Sequence, residues 1–137
     1  MAYTTINKSS SFMNNKIYTG NGSTQTITGV GFQPDLTYTK SRTTTESPWI
    51  MDSIQGVTKA LYTSYTDGQI ATSNGITAWN SDGYALGANS AWNQNSQNFV
   101  SWNWKAGTAV SGNTGGSGSY KTYTGSVNTT SGFSIIK

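Results

Sequence analysis

The segment QNFVSWNWKAG, Gln97–Gly107, carries two of the five tryptophans within three residues. Successive side chains of a strand point to opposite faces. One face would therefore carry Val100, Trp102 and Trp104, and the other Phe99, Ser101 and Asn103. Because the second face becomes polar along its length, the pattern predicts a half-buried strand in which Trp102 and Trp104 fill the core. The alternative is an exposed aromatic face that binds a ligand.

The composition favours folded β-structure. Hydrophobic residues make up 34% and charged residues 9% of the chain, against about 45–50% and about 25% in globular proteins. Disordered segments are poor in aromatic residues and rich in proline, whereas this chain has five Trp, eight Tyr, four Phe and only two Pro. Since Thr, Tyr and Trp suit a pleated surface, we expect an all-β protein.

Short alternating segments, separated by turn residues, recur along the chain. Asn21-Gly22 and Asp82-Gly83 are strong hairpin signals. The segments predict antiparallel strands. They are Asn15–Gly20, Asn21–Thr28, Gly31–Arg42, Ser47–Ile54, Lys59–Thr66 and Gly75–Gly87.

The 137 residues suffice for one sizeable core. We divide them into an extended N-terminal arm at 1–14, a β-domain at 15–107, a Gly/Ser-rich linker at 108–119 and a C-terminal strand segment at 120–137. The last segment ends in apolar Phe133, Ile135 and Ile136. Such a strand either packs on its own domain or joins a neighbouring subunit's sheet, so these three residues are candidate subunit contacts.

The reactive side chains are few. The chain has no His and no Cys, which excludes Ser-His-Asp and Cys-His catalysis and ordinary zinc sites. Asp35, Asp67 and Asp82 occupy turn-like positions, which leaves Glu46 and Asp52 with no sign of being paired. We therefore expect no enzymatic activity, no catalytic residue, no metal and no cofactor.

The net charge of +3 comes from scattered side chains without a basic stripe, so we expect no nucleic-acid partner. The first residues show no secretory signal pattern. An apolar run near the ~20 residues of a membrane helix is also missing, so we expect no membrane partner.

Several motifs, in this order, resemble a repeated domain of virion proteins from tailed bacteriophages, especially those of marine and freshwater bacteria. They are IYTGNGSTQTITGVGFQPDL, TKSR, DSIQGVTKALYT, SDGYALG and FVSWNWKAG. The resemblance spans roughly residues 1–107. It implies a jelly-roll or concanavalin-like antiparallel β-sandwich, in a structural or tail-fibre-like protein.

The resemblance and the composition together predict a non-enzymatic structural protein of a phage particle. It would serve as a capsid decoration or cement protein, as a head fibre, or as a short tail or baseplate component. We expect it in the virion, assembled in the host cytoplasm, with other virion proteins and itself as partners. By analogy alone we expect a homotrimer.

The alternative function is a carbohydrate-binding adhesin module for host-surface glycans. Trp92 stands alone in the polar segment GANSAWNQNSQN, and Asn93 and Asn95 beside it carry amides that could bind sugar hydroxyls. Packing over the sandwich or at a subunit contact is the competing interpretation of Trp92.

Overall fold

Antiparallel strands make up nearly all the regular structure of the chain. The computed structural model describes residues 6–116, 118 and 120–137. A short 3-10 turn (Ser9–Ser11) and a four-residue helix α1 (Ser90–Asn93) accompany the strands. The strands are β1 (Met13–Thr19), β2 (Gln25–Thr28), β3 (Leu36–Ser41), β4 (Trp49–Asp52), β5 (Lys59–Tyr62), β6 (Ile70–Ala71), β7 (Ile76–Asn80), β8 (Gly83–Leu86), β9 (Asn98–Trp104), β10 (Thr108–Asn113), β11 (Thr122–Asn128) and β12 (Phe133–Ile136).

These strands form three sheets. A six-stranded sheet has the order β1-β9-β3-β4-β5-β6, and a three-stranded sheet has the order β2-β8-β7. β10, β11 and β12 form a third sheet in chain order. The paired strands are antiparallel. The prediction of an all-β antiparallel sandwich is confirmed.

The core lies between the six-stranded sheet and the β2-β8-β7 sheet. Tyr18 of β1 and Phe99 of β9 stack with ring centroids 5.4 Å apart. From the opposite sheet, the Tyr84 hydroxyl donates a hydrogen bond to Ser101 Oγ at 2.7 Å. The buried cluster is Tyr18, Ile27, Trp49, Met51, Ala60, Ile76, Tyr84, Leu86, Ala91, Trp92 and Phe99.

The orientation of β9 is opposite to the one that the sequence pattern favours. Phe99, Ser101 and Asn103 are each 0% exposed, whereas the other side of the strand, with Trp102 and Trp104, is only half-buried. The prediction that these two tryptophans fill the sandwich core is therefore wrong. They lie on the outer surface of the six-stranded sheet.

Hydrogen bonds explain how the polar side of β9 can face inwards. The Asn103 side chain accepts from the Thr37 hydroxyl at 3.0 Å and donates to the Asn14 carbonyl at 3.1 Å and to Ser101 Oγ at 3.2 Å. Burying a polar group is costly unless it is hydrogen-bonded. Here the partners come from β1, β3 and β9 itself, so the interior accepts an amide.

The predicted linker at 108–119 is wrong in its first half, because 108–113 form β10 and pair with β11. The glycine there serves close packing rather than flexibility. A Cβ on Gly112 would lie 2.8 Å from the Tyr123 hydroxyl oxygen. Ser117 and Ser119 lie outside the described residues.

The predicted N-terminal arm also changes. Residues 1–5 lie outside the described part of the chain, and Met13 and Asn14 already belong to β1. The Lys105 N–H donates to the Phe12 carbonyl at 2.8 Å, and the Asn14 amide donates to the Val30 carbonyl at 2.9 Å. Residues 12–14 are therefore held by their own domain.

Candidate functional site

The outside of the six-stranded sheet carries an apolar surface. Directly opposed residues of antiparallel strands point to the same side, so the pairings of Trp102 with Tyr38 and of Ile17 with Val100 define this surface. We call it the outer face. Its apolar members are Met13, Ile17, Leu36, Tyr38, Ile50, Leu61, Val100, Trp102 and Trp104.

The outer face has a covered end and an open end. At the covered end, Phe133 of the third sheet stacks on Trp104 with ring centroids 6.3 Å apart. At the open end of the strands Ile17 is 65% exposed, and at the β5 margin, in the row of Tyr38, Leu61 is 41% exposed. Between them, Trp102 and Tyr38 lie side by side, with ring centroids 5.3 Å apart and planes tilted by 42°.

Few charges lie on this side of the sheet. Lys40, opposite Val100, donates through its ammonium group to the carbonyl oxygens of Thr44 and Glu46 at 3.3 and 2.6 Å. Asp52, opposite Leu36, is nearly buried, and its Oδ1 accepts from two nearby backbone N–H groups. Lys59 lies at the margin on β5. The middle of the outer face is therefore uncharged.

An apolar cavity adjoins the covered end. It has a volume of about 330 Å³ and is lined by Ile6, Ser9, Phe12, Met13, Trp104, Ser131, Gly132 and Phe133. The lining brings the N-terminal turn, the end of β9 and the β11–β12 turn together. Trp104 is thus shared by the cavity and the outer face.

The residues predicted as glycan contacts fall in two different environments. Trp92 is 0% exposed and belongs to the core cluster, and its carbonyl accepts from the Tyr18 hydroxyl at 2.7 Å. Asn93 is also 0% exposed. Neither side chain has a surface that a sugar could contact, so the prediction is wrong for both. Asn95 is exposed, and its glycan role stays a prediction.

Asn93 instead fixes the turn after β1. Its Nδ2 donates to the Gly87 carbonyl at 2.9 Å and to the Ser23 carbonyl, while its Oδ1 accepts from the Asn21 N–H at 2.8 Å. The helix itself is capped by Asn89, whose Oδ1 accepts from the Ala91 N–H at 2.9 Å. An N-cap of this type satisfies a free helical donor. The polar composition of this segment reflects local hydrogen bonding.

The predicted subunit contacts lie together on β12. Phe133 and Ile135 are half-buried, and Ile136 is 53% exposed. β12 pairs with β11 on one side. On the other side, no strand among the described residues pairs with it.

A protein-family model matches nearly the whole chain. The family described as a domain of unknown function (DUF7483) matches residues 8–137. The chain belongs to this family. No curated protein and no solved structure has significant similarity to it. The matched range of this DUF7483 domain includes the third sheet as well as the sandwich.

Three carboxylates of the DUF7483 domain, those of Asp35, Asp52 and Asp82, accept hydrogen bonds from nearby backbone or hydroxyl groups. Asp35 is buried, and its carboxylate accepts from the Ser53 hydroxyl and the Ala106 N–H, both at 2.8 Å. Asp82 accepts from the N–H groups of Gly29 and Gly31. The bonds from Gly31 and then Gly29 hold the pKa of the Asp82 carboxyl below its usual value.

Within the described residues, no group of three His, Cys, Asp or Glu side chains lies close enough to bind a metal ion. Among the same residues, no helix is long and apolar enough to cross a membrane.

The sequence of β9 suggested an exposed aromatic face only as an alternative, and the continuation of that face on the neighbouring strands was missed. The signal was present in β3 and β4, where Leu36, Tyr38 and Ile50 continue the apolar side of Trp102. It was hidden because β3 also has an opposite side of small Thr and Ser residues that resembles a solvent face.

Proposed function

We propose that this DUF7483 domain is a non-enzymatic structural protein of a bacteriophage particle, which acts through contacts with other subunits. The observation that supports it is the outer face, whose middle is uncharged and carries aromatic and aliphatic side chains. The largest apolar patch on a protein surface is often functional.

The dimensions of the outer face suit a subunit contact. Five strands spaced about 4.8 Å apart, each about six residues of ~3.3 Å, cover roughly 500 Å². This footprint includes polar residues, and its apolar part is comparable with the largest apolar patch of a typical monomer, about 300–600 Å². Covering this face with a surface of equal size would bury about 1,000 Å² in total, which is near the lower limit for a specific interface. We therefore expect a contact that is weak in isolation and is strengthened by repetition in a particle.

The phage setting rests on the sequence motifs and not on the geometry. The motifs from IYTGNGSTQTITGVGFQPDL to FVSWNWKAG are similar to a domain of tailed-phage virion proteins. A chain with only 9% charged residues also suits close packing of identical subunits, since burial of charge at an interface core is unfavourable. Capsid decoration, a head fibre and a short tail component are all compatible with this surface.

The first experiment tests the outer face in solution. Ile17→Lys places a charge on the most exposed apolar residue of the face, and Thr26→Lys places the same charge on an exposed position of β2 in the opposite sheet. Sedimentation velocity over a range of concentrations should show self-association in the parent chain and in Thr26→Lys, and weaker association in Ile17→Lys. Equal association in all three would argue against the face.

The second experiment tests the setting. Mass spectrometry of purified particles, from the phage whose genome encodes the chain, should recover its peptides in a fixed ratio to the major capsid protein. Their absence from intact particles would contradict a structural role in the virion.

Glycan binding is the second candidate function, and one observation favours it. Trp102 and Tyr38 form an aromatic pair on the outer face, and the exposed Asn15 lies opposite Trp102 on β1. Aromatic rings with an adjacent amide can stack on a sugar ring and bond its hydroxyls. A glycan array with the parent chain and Trp102→Ala tests this, and binding that survives the substitution would exclude the pair as the platform.

A further inference from the structure

Among the sheet edges of four or more residues, that of β12 is the most apolar; the edges of β2 and β10 are also uncharged but carry fewer apolar side chains. Natural proteins protect edge strands by making them short, charged or bulged. β6 has two residues, β7 contains a register shift between Ile76 and Ala78, and β1 carries Lys16. β12 reads Phe-Ser-Ile-Ile, with three apolar residues of four and no proline, and Lys137 follows it in the ladder. Its unpaired edge is thus an apolar template for another strand.

The alternation of hydrogen-bonded and non-hydrogen-bonded pairs along β11 and β12 identifies the backbone groups of β12 that face this edge. Lys137 and Thr124 exchange two backbone hydrogen bonds, of 2.8 and 3.0 Å. In antiparallel ladders such pairs alternate with pairs that are not hydrogen-bonded. The backbone groups of Ile135 and Phe133 therefore point to β11, and those of Ser134 and Ile136 point to the open edge.

We propose that β12 pairs antiparallel with β12 of a second copy of this chain, about a two-fold axis at Ile135. Ser134 then lies opposite the partner's Ile136, and Ile135 lies opposite the partner's Ile135. The outward N–H and C=O groups of Ser134 and Ile136 meet their counterparts, which gives four hydrogen bonds across the axis. The two third sheets become one continuous six-stranded sheet.

The chemistry of the strand supports a second copy as the occupant. In this register the two Ile135 side chains meet on the side of the sheet that carries Phe133. Lys137 falls opposite the partner's Phe133 and not opposite another lysine. No like charges oppose each other, a condition that cross-strand pairs require.

This inference concerns a different surface from the outer face. It therefore goes beyond the proposed function, although both describe contacts between copies. A chain with two separate self-complementary surfaces can extend into a row of subunits instead of stopping at a dimer.

The absence of native cysteine permits a direct test of the register. Opposed residues of a pair without hydrogen bonds lie about 4.5 Å apart at Cα, which is within the range that a disulfide spans. Ile135→Cys should give a disulfide-linked dimer on non-reducing gels under mild oxidation. Thr130→Cys, on the exposed β11–β12 turn, reports random collision. Cross-linking of Ile135→Cys that is no faster than that of Thr130→Cys would overturn the register.

A second variant tests the edge without cysteine. Ser134→Pro removes an outward N–H and leaves the bonds to β11 in place, whereas Ser134→Ala keeps the N–H. Proline is tolerated where the N–H faces outwards. Sedimentation equilibrium should show at least a tenfold weaker dimer for Ser134→Pro and an unchanged one for Ser134→Ala, with intrinsic tryptophan fluorescence reporting that the fold is intact. Equal dimerisation of the two variants would overturn the inference.

The variant Ile17→Lys distinguishes association through the outer face from pairing of two β12 strands. If it abolishes association while Ile135→Cys fails to cross-link, the outer face is the contact and the β12 pairing is wrong. If Ile135→Cys still cross-links in the Ile17→Lys background, the β12 pairing holds independently of the outer face.

Discussion

Replacing Asn103 by alanine tests whether the polar side of β9 faces the core. Asn103 is 0% exposed and makes three side-chain hydrogen bonds, one with the hydroxyl of Thr37, which is also 0% exposed. A hydrogen bond contributes about 1 kcal/mol net, and an orphaned buried partner adds to the loss. We expect Asn103→Ala to lower the free energy of unfolding by about 3–4 kcal/mol.

The matched control is Asn15→Ala. Asn15 has the same side chain but lies exposed on the outer face, opposite Trp102. Exposed substitutions away from special features change stability by about 0.5 kcal/mol or less. Urea denaturation followed by tryptophan fluorescence measures both. For a chain of this size, about 3 kcal/mol corresponds to a decrease in Tm of roughly 10 °C.

The result that refutes the reasoning is equality of the two variants. Suppose instead that Asn103→Ala lowers the free energy of unfolding by less than about 1 kcal/mol, the net contribution of one hydrogen bond. In that case the amide is not buried, and β9 presents its tryptophans to the core. A double-mutant cycle with Thr37→Val adds a second criterion. A coupling free energy of about 0.5 kcal/mol or more is expected for residues in contact, and zero coupling would contradict the observed bond.

Three further predictions concern the β7–β8 hairpin and the buried phenols. Asp82→Asn should lower stability at neutral pH, because an amide offers one oxygen to two backbone N–H groups. Since the folded pKa of Asp82 is depressed, its contribution is present above the unfolded pKa of about 3.9 and is lost as the pH falls through the folded pKa. Urea midpoints of parent and variant should therefore converge in acid, and a constant difference would contradict this. Gly83→Ala should destabilise strongly, because φ is +143° and a Cβ would meet the Ile27 carbonyl; an unchanged Tm would contradict the geometry. Burial raises the pKa of the Tyr18 and Tyr84 hydroxyls. Their stabilisation is therefore complete below the unfolded pKa of about 10 and is lost as the pH rises towards the folded values. Absorbance at 295 nm should show these phenols ionising only as the circular dichroism unfolds, and ionisation of all tyrosines in a native spectrum would be the opposite result.

Local sequence patterns predicted most of the fold. Asp82-Gly83 lies at the predicted β7–β8 hairpin, whereas Asn21-Gly22 connects β1 and β2, which belong to different sheets. These features depend on a few adjacent residues. The all-β sandwich follows from many such signals pointing the same way.

The candidate site was less predictable, because it depends on partners far along the chain. Whether Trp102 or Asn103 faces the core is decided by Thr37 and Asn14, which lie on other strands. Alternation shows that the two sides of β9 differ, but it does not say which side is covered. Hydrophobicity alone predicted that the tryptophan side faces the core. In the structure the polar side faces the core, because Asn103 is hydrogen-bonded there.

Trp92 was misassigned for a related reason. Its neighbours are polar, so the segment resembles a surface loop, yet Asn93 beside it is buried and hydrogen-bonds to neighbouring loops. The amide of Asn93, for example, donates to the Gly87 carbonyl. The polar sequence suggested exposure. It reflects instead a buried turn whose backbone groups need hydrogen-bond partners.

The position of β9 between β1 and β3 has a consequence for how the chain folds during synthesis. β9 separates β1 from β3, and its Trp104 pairs with Met13 near the other end of the sandwich sequence. At about 5–20 residues per second, roughly 4–16 s pass between the synthesis of β1 and that of β9. Throughout that interval β1 and β3 lack the strand that joins them, and contacts between distant parts of a chain form slowly. A ribosome-bound chain ending before residue 98 should therefore remain sensitive to protease, and resistance should begin only once residues 98–104 have left the exit tunnel.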